Sequence, residues 1–553
     1  MKQLTLIWFL LVLAVSLFGQ NPTPNCYRIY LSNKNNSPYS IGNPSAFLSQ
    51  RAIDKRTRFS IPITEQDLPV NPQYKQQILA LHPQMQLIAV SKWMNTIAVY
   101  CPNSAIVPQI ENLPFVDSVV ATGSTALNAI STPSIPENPV PMVQNVPLST
   151  KDGIDYGNGY GQIAIHNGQR LHAEGFHGEG MLIAVIDGGF LGIESNPFYP
   201  KLVIEGRLVG RYSLRPNFAD TSFVNGTRHG ARVTSIMAAD ENGQFVGTAP
   251  KASYALIHSE CNETEQPFEE DILANSLELA DSLGADVING SIAYYLFDAF
   301  PQGNHTYADM NGQTCIASRC ANLLGEKGIV TCISAGNYGN EDWYYISSPA
   351  DANNILAVGA CDYDSVIANF SSHGYSSDGR VKPDITSLGV STYLYYSDNS
   401  VEQSNGTSYS CPVVSGLCAC LWQAMPQFTA TEIMQFIRES SHLYHNPNPN
   451  FGYGIPDFYK AYTTHVGIND YKPLTISIYP NPVTDKLHIV NPDGNIQTVT
   501  LYNASGQLVL QTAVSNSPIL EIPVTNLPNG FYIGTATLNN HQTATFKFIK
   551  RIP

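Results

Sequence analysis

The sequence predicts an α/β fold with a doubly wound, mostly parallel sheet for residues 159–462. Fully apolar runs recur there, as is typical of parallel strands covered on both faces. These runs lie at 182–186, 254–257, 286–289, 329–333 and 355–358. Between them, residues 272–283 repeat their apolar side chains at helical spacing. In such sheets, functional sites form where the strands end.

A smaller mixed region precedes this part of the chain, over residues 20–122. Its patterns predict strands at 27–31, 87–90, 96–100 and 115–121, and helices at 46–58 and 107–113. Strands and helices in this order favour a small α+β domain.

In the last region, residues 470–553, the sequence pattern changes to short alternating strands separated by turn residues. It predicts about seven short strands, at 474–479, 486–490, 498–502, 508–511, 519–522, 531–537 and 543–549. Asn, Pro, Gly and Asp separate them, as in tight turns. We therefore expect a small β-sandwich.

Two segments are not expected to build a core. Residues 1–19 combine a basic start with an apolar run of the length of an export signal, and we expect cleavage near Gly19. An uncleaved anchor is the alternative. Residues 123–158 are rich in Pro, Ser, Thr and Asn, which predicts an extended, protease-accessible linker. A maturation cut in or near it is a hypothesis.

The charge balance excludes some classes of partner. The chain has 29 Lys and Arg against 44 Asp and Glu, a net charge of −15. This argues against nucleic acid as a partner, and it gives the protein no polycationic surface that would bind anionic membranes. No segment after the leader is long and apolar enough to span a bilayer.

Ten cysteines are present, and an exported protein can form disulfides. Cys315 and Cys320 are close enough in sequence to pair with each other, or either with Cys261. Four others stand in apolar runs and are expected to be buried: Cys332, Cys411, Cys418 and Cys420. No Cys/His spacing resembles a zinc site.

Three segments carry the residue types of a hydrolytic site. Asp187 ends the apolar run in LIAVIDGG at 182–189, and His229 lies in TRHGARV at 227–233. Ser408 lies in NGTSYSCP at 405–412, at a glycine turn that opens an apolar helix. The start of a helix concentrates unpaired N–H groups, which can hold a negatively charged oxygen.

A fourth segment, ISAGN at 333–337, contains Asn337. Together the four segments resemble the catalytic blocks of the subtilisin-like serine endopeptidases, the peptidase S8 family, in the same chain order of Asp, His and Ser. The similarity runs from about residue 160 to about residue 461. It implies a subtilisin-like fold for the central domain.

The resemblance also implies a role for each side chain. Ser408 would attack the scissile carbonyl and form an acyl-enzyme, with His229 taking its proton. Asp187 would hold the imidazole in one tautomer. The oxyanion would form between the Ser408 amide and the side chain of Asn337. Taken singly, each residue is more often a cap, a turn or a surface group.

The family's substrate cleft maps onto two stretches of this chain. Extended peptide would lie against Gly290, Ser291, Ile292, Ala293, Ser334, Ala335 and Gly336. Ala293 stands where the family usually has glycine, so we expect a primary pocket for small or medium side chains. The chemistry requires no cofactor. Structural calcium is common in the family, but no calcium-hand loop appears here.

The flanking regions resemble accessory parts of such enzymes. Residues 20–122 resemble the N-terminal propeptide, which assists folding and inhibits until it is removed; an ordinary accessory domain is the alternative. Residues 470–553 resemble the C-terminal sorting domain of the Bacteroidetes type IX secretion route, through YPNPV at 479–483 and NGFY at 529–532. A sugar-binding or adhesive sandwich is the alternative.

The prediction is therefore a secreted or cell-surface serine endopeptidase, made as a zymogen. It would act on proteins or peptides and use the type IX machinery for export. A catalytically silent surface adhesin on the same fold is the alternative from another class. An esterase is disfavoured, because Gly-x-Ser-x-Gly is absent at Ser408.

Overall fold

The structure is a computed structural model that describes most of the chain. The described residues are 23–124, 153–216, 226–261, 265–298, 300–396, 400–466, 476–490, 496–513, 517, 519–538 and 543–552. The predicted export signal and most of the predicted linker lie outside them. The chain forms two compact units, one ending at Thr464 and one beginning at His465.

The first region of the larger unit is a four-stranded antiparallel sheet with three helices. The strands are β1 (Cys26–Leu31), β2 (Gln86–Ser91), β3 (Thr96–Tyr100) and β4 (Val116–Gly123), in the order β2-β3-β1-β4. The helices are α1 (Gln50–Arg58), α2 (Pro72–Leu79) and α3 (Val107–Glu111). This is the predicted α+β arrangement.

The predicted helix over 46–58 is shorter in the structure. A single 3₁₀ turn covers Pro44–Ala46, and α1 begins only at Gln50. The cause is the N-cap: the Ser49 side chain accepts a hydrogen bond from the backbone of Ala52 at 3.1 Å, and a capping serine has non-helical torsion angles. The helix therefore cannot extend back to residue 46.

The central region contains the predicted parallel sheet. Its chain order begins with β5 (Leu182–Asp187), β6 (Leu208–Ser213), a small hairpin of β7 (Asp240–Glu241) and β8 (Phe245–Val246), β9 (Ser253–His258) and β10 (Val287–Gly290). It continues with β11 (Val330–Ser334), β12 (Leu356–Cys361), β13 (Ile385–Leu388) and a second hairpin of β14 (Thr392–Tyr395) and β15 (Val401–Ser404). Seven strands form the sheet, in the order β13-β12-β11-β10-β5-β9-β6, and every neighbouring pair is parallel.

Nine helices complete the described part of this unit. They are α4 (Tyr160–Ala164), α5 (Gly168–Ala173), α6 (Phe198–Ile204), α7 (His229–Ala238), α8 (Glu269–Leu283), α9 (Ile316–Leu324), α10 (Thr407–Ala424), α11 (Ala430–Ser440) and α12 (Phe458–Val466). Helix α8 has three acids in its first turn and ends at Gly284, which adopts the left-handed conformation at φ +83°. Two large apolar clusters bury the inner strands from both faces, which explains their uniformly apolar sequences.

Helix α10 runs through the interior, and Gly416 lies at its closest contact. A Cβ atom at this position would lie 2.0 Å from Thr248 Oγ1, 2.8 Å from its Cβ and 3.1 Å from its carbonyl carbon. Thr248 is itself fully buried. Only glycine allows the helix to pack this closely.

We expect Gly416→Ala to destabilise the protein, although alanine normally favours a helix by about 1 kcal/mol over glycine. The overlap with Thr248 involves backbone and a β-branched side chain, and overpacking of this kind costs about 1–3 kcal/mol. Thermal unfolding followed by circular dichroism should show a lower midpoint. An unchanged or raised midpoint would contradict the packing described here.

The described residues of the smaller unit form seven strands in two sheets. They are β16 (Ser477–Tyr479), β17 (Lys486–Val490), β18 (Ile496–Asn503), β19 (Leu508–Ala513), β20 (Ile519–Pro523), β21 (Gly530–Leu538) and β22 (Thr543–Lys550). The sheet orders are β16-β17-β20 and β19-β18-β21-β22, and one apolar cluster contains side chains from both. The predicted β-sandwich is present, and the start of its predicted first strand, at 474–475, lies outside the described residues.

The cysteines give one correction and one agreement. Cys315 and Cys320 are free thiols in the structure, so neither suggested pairing is present. Cys320 lies inside α9 and Cys315 precedes it, which directs the two thiols to different surroundings. Cys332, Cys411, Cys418 and Cys420 are fully buried, as predicted. Among the described residues, no helix has the length and apolar character needed to cross a bilayer.

Candidate active site

Asp187 and His229 come together at one edge of the parallel sheet. Asp187 is the last residue of β5 and is fully buried, whereas His229 opens helix α7. The imidazole Nδ1 lies 2.9 Å from Asp187 Oδ1 and 3.0 Å from Oδ2. Oδ1 also accepts a hydrogen bond from the Gly188 amide at 2.8 Å. The carboxylate is thus fixed in position to hold the imidazole by one nitrogen.

The environment of His229 favours its protonated form. Burial lowers the pKa of His229, but the Asp187 carboxylate raises it, through its charge and its hydrogen bond, and the net pKa is raised. Glu260 adds a smaller effect in the same direction. The side chain remains 30% exposed, so its other edge is accessible from the surface. An imidazole is neutral, and therefore able to accept a proton, above its pKa.

Ser408 is the second residue of α10 and is half-buried. Pro412, four residues later, has no N–H group, so it cannot bond the Ser408 carbonyl within the helix. That carbonyl accepts a hydrogen bond from Ser291 Oγ at 3.1 Å instead. Next to Ser408, the ring of Tyr409 lies 5.7 Å from the ring of His229, measured between centroids. The segment that contains Ser408 is thus anchored beside the imidazole.

Asn337 lies beside the same helix start. Its Oδ1 accepts hydrogen bonds from the Thr407 amide at 2.9 Å and the Thr407 hydroxyl at 3.0 Å, which fixes the orientation of the side-chain amide. A Cβ atom at Gly406 would lie 3.8 Å from both Asn337 Nδ2 and the Ser408 backbone nitrogen. The two nitrogens therefore lie at equal distances from the space beside Gly406, and the absence of a side chain there keeps this space open.

The two predicted cleft stretches follow neighbouring strands. Strand β10 ends at Gly290 and strand β11 at Ser334, and the two strands are paired in parallel. Residues 291–293 and 335–336 therefore leave the sheet side by side, next to the end of β5, which also pairs with β10. Ile292 and Ala335 are buried. The Ser291 hydroxyl donates the hydrogen bond to the Ser408 carbonyl that is described above.

One charged residue near the site, Glu260, was not predicted from the sequence. Glu260 follows β9, which pairs with β5 so that His258 lies opposite Asp187. Burial and, to a smaller extent, the Asp187 charge raise the pKa of Glu260, His229 opposes the shift, and the net pKa is about 7. Its position two residues beyond a strand that neighbours β5 was the only sequence signal available.

We expect Glu260→Gln to move the acidic limb of the pH–activity profile to lower pH. The Glu260 charge, which is present from about pH 7 upward, stabilises protonated His229, so its removal lowers the pKa of the imidazole and leaves more neutral base near neutral pH. The measurement is kcat/KM for a peptide substrate between pH 5 and pH 9. Glu194→Gln, which removes an exposed acid paired with Arg211, is the control. A limb that stays in place, or moves to higher pH, would contradict this account of Glu260.

The N-terminal region docks on helix α8 through buried polar contacts. Glu278 accepts hydrogen bonds from Ser91 Oγ at 2.5 Å, from the Lys92 amide at 2.7 Å and from the Trp93 amide at 3.0 Å. One glutamate thus caps the turn between β2 and β3. Trp93 is 5% exposed and packs into an apolar cluster of the central region.

Ion pairs extend this interface along the same helix. Asp281, which is fully buried, pairs with Arg56 at 2.8 Å and with Lys92 at 3.2 Å. Asp271 receives two hydrogen bonds from Arg28, at 2.6 and 2.9 Å. Burial raises the pKa of Asp281, but Lys92 and Arg56 lower it, and the net pKa is lowered. The acids of α8 therefore match basic side chains on the N-terminal region.

The described end of the N-terminal region is also attached to the central region. The Phe268 amide donates to the carbonyl of Thr122 at 3.0 Å. Gln266 both accepts a hydrogen bond from the Ser124 amide, at 3.2 Å, and donates one to its carbonyl, at 2.9 Å. The chain thus leaves β4 along the segment that precedes α8.

Comparison with known proteins agrees with this architecture. A model of the subtilase family, peptidase S8, matches residues 178–454. A model of the peptidase S8 propeptide domain of Bacteroidota matches residues 26–137. A model of the secretion system C-terminal sorting domain matches residues 477–551. The chain therefore belongs to the subtilase family of serine peptidases, and it has a propeptide domain and a type IX sorting domain.

Several curated relatives align with about half of the chain. Serine protease AprX of Bacillus subtilis is 27% identical over 310 residues, which cover 52% of this chain and 65% of AprX. Subtilisin DY of Bacillus licheniformis is 27% identical over 276 residues, or 49% of this chain and 87% of the relative. Subtilisin-like protease PopC of Myxococcus xanthus is 28% identical over 280 residues, or 48% and 56%. Two of them are named as proteases and the third as a subtilisin, and nothing found favours the adhesin alternative.

Proposed function

We propose that this chain is an exported serine endopeptidase, made as a zymogen, that cleaves peptide bonds through Ser408, His229 and Asp187. Ser408 Oγ attacks the scissile carbonyl while His229 takes its proton, and the amine leaves with a proton returned by the same imidazole. Water then attacks the acyl-enzyme by the same route. No cofactor takes part in these steps.

The observation that carries this proposal is the convergence of groups around Gly406 and His229. Asp187 holds one imidazole nitrogen at 2.9 Å, and the Asn337 Nδ2 and Ser408 backbone nitrogens both lie close to Gly406, where we propose that the negative oxygen forms. Donors fixed in advance stabilise such an oxygen without reorganisation. The peptide would lie along residues 290–293 and 334–336, between the ends of β10 and β11, with a small or medium side chain in the primary pocket.

The N-terminal region would keep the enzyme inactive until it is removed. Support comes from the capped turn on Glu278 and the buried ion pairs of Asp281 and Asp271. The attachment of Ser124 to Gln266 holds the described end of the N-terminal region against the central region, and the maturation cut is proposed to lie in or near the linker 123–158. For export, residues 1–19 would act as a signal and the C-terminal unit would be read by the type IX machinery. The mature enzyme would then be released from the cell or kept at the cell surface.

An activity-based probe tests the proposal directly. A fluorophosphonate should label the processed protein at Ser408, and the processed protein should hydrolyse casein faster than simple esters. N-terminal sequencing of the active form should give a start within or near the linker. Labelling at another residue, or none in correctly folded and processed protein, would favour a silent binding protein and contradict the proposed function.

A further inference from the structure

Three side chains that the proposed mechanism does not use converge beside helix α8. Glu270 is in the first turn of α8, His305 lies in the loop that follows β10, and Cys315 immediately precedes α9. One carboxylate oxygen, one imidazole nitrogen and the thiol sulfur all lie within 4.8 Å of one another. One of these contacts joins His305 Nε2 to Glu270 Oε2 at 3.1 Å.

The cluster is shielded from solvent. Glu270 and Cys315 are each 2% exposed, and the His305 side chain is 14% exposed. The second carboxylate oxygen, Glu270 Oε1, accepts a hydrogen bond from Ser348 Oγ at 2.9 Å. This bond holds the carboxylate in place. The thiol makes a long contact, 3.8 Å, with the Asp309 carbonyl and also interacts with the Ser348 side chain.

We propose that Glu270, His305 and Cys315 form a zinc-binding site. An oxygen, a nitrogen and a sulfur donor are the three ligand types that zinc takes in proteins, at about 2.0–2.3 Å, in tetrahedral geometry. Such bond lengths put neighbouring ligand atoms about 3.3–3.8 Å apart. Side-chain movements of about 1 Å would close the present arrangement around an ion. A water molecule takes the fourth position.

The donor set favours zinc over a divalent cation held by oxygens alone, because thiolate and imidazole are ligands that zinc takes, whereas calcium and magnesium prefer oxygen. A carboxylate, a neutral imidazole and a thiolate together carry two negative charges, which balance those of Zn²⁺. A buried site of this composition therefore holds the ion without an uncompensated charge.

The ion would connect three parts of the chain that are distant in sequence. It would fix the loop at His305 to the starts of α8 and α9. It would also lie next to Asp271, which holds Arg28 of the propeptide. The site is structural, because none of its ligands contacts the proposed catalytic side chains. Its existence does not depend on the proposed function.

The test uses the full chain with Ser408→Ala, which prevents self-cleavage. After chelation, the protein is equilibrated with zinc, desalted and analysed for metal, and one zinc per chain is expected. Cobalt is added in a parallel sample as a spectroscopic substitute. A thiolate-to-cobalt charge-transfer band should appear, and zinc should abolish it. Zinc binding should also release protons, measured in two buffers of different ionisation enthalpy.

Two matched variants locate the site. Cys315→Ala should abolish the cobalt band and weaken zinc binding at least 100-fold, more than the roughly 10–100-fold typical of a group outside the coordination shell. Cys320→Ala, which removes another buried thiol five residues away, should keep both. A full-length protein without stoichiometric zinc, or a band that survives Cys315→Ala, overturns the proposal. If Cys315→Ala does not fold, the parent chain decides alone: no cobalt–thiolate band means no site. An ion pair between His305 and Glu270 would then be the only role of the cluster.

Discussion

Ser408→Ala is expected to reduce peptide hydrolysis by about 10⁶-fold, which is the loss known for a subtilisin that lacks its serine. The reason is that the imidazole, the carboxylate and the N–H donors around Gly406 act on a bond made by Ser408 Oγ. Without the hydroxyl, His229 has no proton to take and no acyl-enzyme forms. Initial rates on a fluorogenic peptide, with titrated active sites for the parent enzyme, measure the effect.

Ser410→Ala is the matched control for this change. Ser410 lies two residues after Ser408 in α10 and is fully buried, and its hydroxyl donates a hydrogen bond to the Thr407 carbonyl at 3.0 Å. Its removal costs a hydrogen bond worth about 1 kcal/mol but no catalytic group, so activity should remain within a few-fold of the parent. If Ser408→Ala kept more than a small fraction of the rate, or Ser410→Ala lost all of it, the assigned nucleophile would be wrong.

Asp281→Asn is expected to weaken inhibition by the propeptide about 10²–10³-fold. The change removes the counter-charge that Lys92 and Arg56 share in a buried interface, leaving Arg56 only its longer contact with Asp67 at 3.3 Å, and breaking one partner of a buried pair costs about 3–5 kcal/mol. The separately produced propeptide, residues 23–124, is titrated against processed enzyme, and the inhibition constant is measured for parent and variant. The catalytic rate without propeptide should change little.

The exposed pair of Glu194 and Arg211 provides the comparison for this second change. Both side chains are 41% exposed, and such surface pairs contribute roughly 0–1 kcal/mol. Glu194→Gln should therefore leave propeptide inhibition as it is. Equal inhibition of the parent and the Asp281→Asn enzyme would show that the buried charges do not hold the two regions together.

Most buried strands of the central sheet were predictable because their sequences are short, largely apolar runs. Each of the five central strands predicted from such runs is present, within a few residues. The edge strand β6 was missed because it is half-exposed and contains glycine and arginine, and β13 because its four residues include threonine and serine. Mixed sequences of this kind carry no clear period.

The candidate site divides in a similar way. Asp187, His229, Ser408 and Asn337 could be proposed because each stands in a local motif, and the structure brings the first two into hydrogen-bonding contact. Glu260 belongs to no motif and acts by its position relative to other strands. The cluster of Glu270, His305 and Cys315 has ligand spacings of 35 and 10 residues, which match no short metal pattern. Such groups are visible only after the chain is folded.

The buried thiols of helix α10 offer a way to time the opening of the protein. Cys411, Cys418 and Cys420 lie on the helix that begins at the proposed nucleophile, and all three are fully buried. An alkylating reagent reaches them only when that helix separates from the sheet. Their labelling rate, read by mass spectrometry, would therefore report how often the interior is transiently exposed. It would do so without any substrate, and equally in the inactive precursor.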